Sequence, residues 1–99
     1  MASEKAIDTR IQKVVRRRGG WSFKTHGSAA TRQGVPDRLI CYRGFFIASE
    51  TKKPGGRTTP IQEHELRQIR EAGGVAIVSF DVDEVEAAMD EIDRRLDGG

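Results

Sequence analysis

Cysteine is all but missing from this 99-residue chain, and the single Cys41 excludes an internal disulfide and any cysteine-based zinc cage. An apolar run long enough to cross a bilayer is missing as well. The N-terminus turns charged at Glu4 and Lys5 with no apolar stretch behind it, so no secretory signal is expected and the cytosol (a cytoplasmic location) is the expected compartment. There are no repeats and no sign of a second domain, and the length suits one domain over residues 1–99. Hydrophobic residues make up 36% and charged residues 32%, which suits a globular protein with a thin core. Small chains of this kind often gain stability by self-association, so a dimer is a reasonable expectation.

What is present is charge, unevenly placed. Residues 1–70 carry 15 Lys/Arg against 6 Asp/Glu, whereas residues 71–99 carry 2 against 9. A basic body with an acidic segment points to an anionic partner on one side. Charge runs more often do no more than solvate a surface. Here Arg16, Arg17 and Arg18, with Arg32, Arg38, Arg43, Lys52, Lys53 and Arg57, turn the expectation toward nucleic acid.

Periodicity gives the order helix, three strands, helix, strand, helix: an α/β sandwich around a small mixed sheet. Ile7, Ile11, Val14 and Val15 recur at helical spacing between Ser3 and Arg18, and Gly19-Gly20 stops the run. Trp21-Ser22-Phe23 alternates as a short strand, followed by a small, polar loop over 27–34. Strands are expected over about 36–42 and 45–52. Thr59 is a good N-cap, with Pro60 in the first position of a second helix that Gly73-Gly74 ends. Val75–Val78 is a continuous apolar run, the pattern of a strand buried on both faces. Asp81 and Glu84 have the spacing of a capping box before a third helix whose stripe is Val82, Val85, Met89, Ile92 and Leu96. That stripe suits either the sheet or a dimer contact.

The hairpin raises a chemical question. A two-residue turn at Arg43-Gly44 makes opposed residue numbers sum to 87, so Leu39 faces Ala48, Cys41 faces Phe46, and Asp37 faces Glu50. Directly opposed Cβ atoms lie about 4.5–5.5 Å apart, and like charges there are destabilising. A shared proton, the neighbouring Lys52, a divalent cation, or plain solvation at a wet strand end would each relieve the pair. Two further polar groups approach the same spot. Glu4 continues the first helix's stripe, although a carboxylate also suits a helix N-terminus for its own sake. Gln62 shares a face with Leu66 and Ile69, although Thr59 and Gln62 also form a capping box.

Taken together, GVPD (34–37), Glu50-Thr51-Lys52 and PGGRTTPIQ (54–62) resemble the PD-(D/E)xK nuclease pattern, and more narrowly the VRR-NUC family of virus-type replication–repair nucleases. The resemblance covers the chain from Glu4 to about Val85. It implies a restriction-endonuclease-like core and a phosphodiesterase dependent on Mg²⁺ or Mn²⁺. In that reading Asp37 and Glu50 bind the metal, with the backbone carbonyl of Thr51 as a further ligand. Glu4 completes the acidic site through the metal's water shell, Lys52 acts on the attacking water, and Gln62 is the helix glutamine beside that lysine. Stand-alone members resemble Holliday junction resolvases and act as homodimers on branched DNA. Lys24, Arg32, Arg38, Lys53 and Arg57 are the expected DNA contacts, with His26 a weaker candidate.

The chain departs from such nucleases beside Glu50, where Ser49 and Thr51 stand in place of apolar residues. That predicts a face less deeply buried than usual, or covered by a partner. His64 is expected in solvent and Cys41 in the core. Two other functional classes stay open on the sequence: a DNA-binding module that has lost turnover, and a nickase or exonuclease subunit of a larger complex.

Overall fold

A computed structural model describes residues 2–25 and 32–98. The expected polar loop falls mostly outside the described residues, as does His26. Seven elements follow in the expected order: α1 (Glu4–Arg17), β1 (Trp21–Lys24), β2 (Arg38–Tyr42), β3 (Phe45–Thr51), α2 (Pro60–Glu71), β4 (Val75–Ser79) and α3 (Asp83–Asp97). Helix α1 starts on Ser3, whose hydroxyl accepts the Ala6 N–H at 3.1 Å. The four strands form one mixed sheet in the order β1-β2-β3-β4, antiparallel except for the parallel β3–β4 pair.

The hairpin register is the one expected. Arg43 and Gly44 have φ of 50° and 86°, and two positive φ values are what a type I′ turn requires. Leu39 pairs with Ala48 and Cys41 with Phe46. The ladder stops at Arg38 and Ser49, however, so Asp37 approaches Glu50 from just beyond the last pair. Strand β2 starts two residues later than expected and β3 ends one residue earlier, while the ends at the turn match.

Helices α1 and α3 cover one sheet face. Ile7, Ile11 and Val15 interlock there with Ile40, Ile47, Val85 and Met89, all under 2% exposed. Burial of each such side chain contributes on the order of 1.5–3 kcal/mol. The α3 stripe is thus spent on the core through Ile92, and only its last member, Leu96, is exposed. Helix α2 lies on the other face, with Leu66 buried, and packs chiefly along β4.

Several expectations are corrected. Strand β4 is not buried on both faces: it is an edge strand, half-buried along much of its length. Arg70 donates to the Ala76 carbonyl at 2.7 and 3.1 Å, which helps blunt that edge. Ser49 and Thr51 are fully buried; the Ser49 hydroxyl pairs with that of Ser79 at 2.7 Å and so tolerates the interior, while the Thr51 hydroxyl is buried without a partner among the described residues. Cys41 is exposed, because α2 does not reach over β2. The capping box at α3 is half-formed: Glu84 accepts the Asp81 N–H at 3.1 Å, but the Asp81 carboxylate accepts the Val82 N–H instead.

The acidic segment also has an internal use. Asp90 and Asp93 pair with Arg18 at 2.7 and 3.0 Å, and Asp93 and Asp97 pair with Arg43, each at 2.9 Å. Tyr42 donates to the same Asp93 at 2.8 Å. Part of the charge asymmetry is therefore neutralised within the fold, and Arg18 and Arg43 are engaged there.

Candidate active site

Glu50 sits near the end of β3 with 2% of its surface exposed. Its Oε2 takes a hydrogen bond from Gln62 Nε2 at 3.3 Å and lies 3.5 Å from Lys52 Nζ. Its Oε1 is buried without a partner. Burial first, and then the charge of Asp37, push the Glu50 carboxyl up to about 7, against the opposing pull of Lys52. The repulsion anticipated from the hairpin register is present.

Asp37 is aimed by its backbone and its own side chain. Its carbonyl accepts the Thr25 N–H at 2.9 Å, which extends the β1–β2 pairing by one step, and its Oδ2 accepts the Thr51 N–H at 2.8 Å. The preceding Gly34 has a φ of +81°, and a Cβ added there would stand 2.7 Å from the Ile61 carbonyl oxygen on the first turn of α2. Gly34→Ala is therefore expected to destabilise the fold by at least about 1–3 kcal/mol, read as a lowered urea midpoint.

Gln62 fulfils both sequence readings. Its Oε1 accepts the Thr59 N–H at 2.9 Å as one half of a capping box, while the Nε2 of the same amide donates to Glu50. The helix cap therefore fixes the orientation of the amide that holds Glu50. Glu4 is exposed at the rim, where its carboxylate accepts the Lys53 N–H at 3.4 Å.

Asp37, Glu50, Lys52 and Gln62 come together, with Glu4 at the edge. Among the described residues no group of three or more His, Cys, Asp or Glu side chains is placed to hold a metal. The protein offers two carboxylates, a set that suits a hard cation keeping several of its own waters. The unpartnered Glu50 Oε1 and the raised Glu50 carboxyl are what such a cation would relieve.

The expected DNA contacts divide. Lys53 and Arg57 are exposed on the loop after β3, and Arg32 is exposed while its guanidinium reaches Glu65 at 3.0 Å. Arg38 is 4% exposed, bonded bidentately to Asp8 at 2.8 and 2.9 Å and to Ser22 at 2.8 Å, so it turns no donor to solvent. Lys24 joins the same carboxylate at 3.2 Å while staying partly exposed. Sequence reasoning missed Asp8. The available signal was a charged residue three before Ile11 and seven before Val15, on the stripe that packs against the sheet.

Two solved structures resemble the chain over nearly its whole length. A "VRR_NUC domain" superposes with a TM-score of 0.74 at 23% identity, covering 90% of this chain and 97% of that one. A "VRR_NUC domain protein" gives a TM-score of 0.75 at 18% identity, covering 92% and 88%. The chain has the VRR_NUC fold. No family profile and no curated protein sequence matches it. The VRR_NUC likeness thus stands on three-dimensional arrangement. No helix among the described residues is long and apolar enough to cross a membrane.

Proposed function

We propose that this chain is a divalent-metal-dependent endonuclease that hydrolyses phosphodiester bonds in branched DNA such as Holliday junctions, acting as a homodimer. The observation that carries the reading is Glu50. A buried carboxylate held beside a second carboxylate and a lysine, with one oxygen unpartnered, is costly unless a ligand occupies the site. Asp37 and Glu50 would hold Mg²⁺ or Mn²⁺, with the Thr51 carbonyl as a further ligand and Glu4 acting through water. When bound, the ion lowers the pKa of a coordinated water and neutralises charge on the phosphate.

The chain's own groups do the rest. Lys52, tied to Glu50 at 3.5 Å, orients the attacking water, assists its deprotonation and stabilises charge on the phosphate oxygens. Gln62 fixes the plane of the Glu50 carboxylate. Lys53, Arg57 and Arg32 contact the DNA backbone, giving affinity without sequence readout. A dimer presents two such sites, which allows paired cuts on opposed strands.

The test is cleavage of an end-labelled four-way junction, a plain duplex and a single strand, each with Mg²⁺, Mn²⁺ or chelator. Paired cuts confined to the junction, lost with chelator and in Asp37→Ala, are the expected result. Junction that is bound but uncut in every condition overturns the catalytic reading.

A further inference from the structure

The sheet face that carries Glu50 does not end at the catalytic groups. Strand pairing places Thr25, Asp37 and Glu50 at one end of that face, then Phe23, Leu39 and Ala48, then Trp21, Cys41 and Phe46. Helix α2 covers the β4 side of this face and leaves the β1–β2 side open. Trp21 is 63% exposed and Phe23 50%, their rings stacked with centroids 6.4 Å apart and planes 24° off parallel. An aromatic pair of that exposure is unusual on a domain with so thin a core.

Cations stand near both ends of the open strip. Lys52 and Lys53 stand at the catalytic end. Beyond the far end, around the edge of β1, Arg16 of α1 and Trp21 line one cleft of about 210 Å³ together with Gln12, Gly20 and Ser22. Arg16 makes no ion pair among the described residues, in contrast to Arg18 two positions on. Trp21 lies four strand residues from the Asp37 row, roughly 13 Å, a reach of a few nucleotides. Aromatic faces between phosphate-binding cations are the arrangement that holds unpaired bases.

We propose that Trp21 and Phe23 form a stacking platform for unpaired nucleotides next to the scissile phosphate, with Arg16 holding a phosphate beyond them. This rests on the phosphodiesterase reading of the Asp37–Glu50 site and deepens it: among branched DNAs, the preferred substrate is one with unpaired bases next to the branch point. A second copy of the chain is the competing occupant of the same face, but apolar contact alone gives no use to a cation at each end.

Trp21 is the chain's single tryptophan, so its emission reports on the platform alone. The full-length protein is titrated in chelator, where no cleavage intervenes, with a fluorescein-free single-stranded oligonucleotide and with a blunt duplex. The expected result is quenching by the single strand and little by the duplex, with Phe23→Ala weakening single-strand affinity about tenfold and Phe23→Tyr restoring it. A single strand that binds by gel shift with unchanged emission overturns the proposal, as does a single strand that does not bind. Emission that shifts with protein concentration alone, and not with DNA, assigns the face to a second copy and overturns it too. Cleavage by the wild type in Mg²⁺ is scored separately, so a failed platform and a failed active site give different results.

Discussion

Glu50→Gln is expected to abolish cleavage and to make the metal-free protein more stable. Both effects come from one charge. The wild-type carboxylate is buried, faces Asp37, and has one oxygen without a partner. Replacing it with an amide of the same shape removes the repulsion while Gln62 and Lys52 keep a carbonyl oxygen to bind. It also removes half of the carboxylate pair that suits a divalent cation. Cleavage is expected to fall by at least about a thousandfold, since several kcal/mol of transition-state stabilisation are lost and ~1.4 kcal/mol corresponds to tenfold.

The pH dependence separates the two effects. Glu50 titrates at about 7 in the folded chain, against 4.5 as its ordinary value. The folded state therefore holds the proton more tightly, and the unfolded chain binds fewer protons throughout that interval. Stability of the metal-free wild type falls as pH rises from about 4.5 through 7, by on the order of 3 kcal/mol in all. Glu50→Gln lacks this slope, so the two proteins converge near pH 4.5 and separate near pH 8. Urea denaturation at several pH values in chelator measures the difference. Added Mg²⁺ is expected to raise the wild-type midpoint at pH 8 and leave the variant unmoved. Parallel pH slopes for the two proteins would refute the account of Glu50.

The site was legible because its spacing is local. The Arg43-Gly44 turn sets the register, and the register puts Glu50 on the Leu39–Ala48 face thirteen residues from Asp37. Gln62 was readable twice over, as a cap and as an inward amide, because the two jobs use different atoms of one side chain. What could not be read depends on which parts of the sheet each helix covers. Cys41 follows an alternating apolar pattern, yet α2 packs along β4 and leaves it exposed. The same partial cover leaves Trp21 and Phe23 in solvent. The acids of α3 gave no hint that three of them would turn back onto Arg18 and Arg43, because those partners lie 50 to 75 positions away.

Asp8 is the least legible residue in the sequence, and its loss carries the largest expected cost to stability. Asp8→Ala leaves the Arg38 guanidinium buried at 4% exposure without its carboxylate, which costs about 3–5 kcal/mol. Burial alone would raise the Asp8 carboxyl, but Arg38, with Lys24 behind it, brings it below its ordinary value of 3.8. The pair's contribution is accordingly present above about pH 4 and lost as pH falls through the lowered value. A buried ion pair need not be the most stable filling of its space, and an apolar pair of similar volume is often neutral or better. Asp8→Leu combined with Arg38→Met is therefore expected to recover most of the stability lost in Asp8→Ala, a coupling that a double-mutant cycle in urea reads directly. Cleavage is expected not to recover with it. Arg38 follows Asp37 directly, and its fork ties the start of β2 to α1, the helix whose first residue, Glu4, borders the site. An apolar contact fills that volume but fixes no angle, so the double variant is expected to fold well and cut more slowly, with the loss in kcat and not in KM. Full cleavage in a stable double variant would reduce the pair to packing alone.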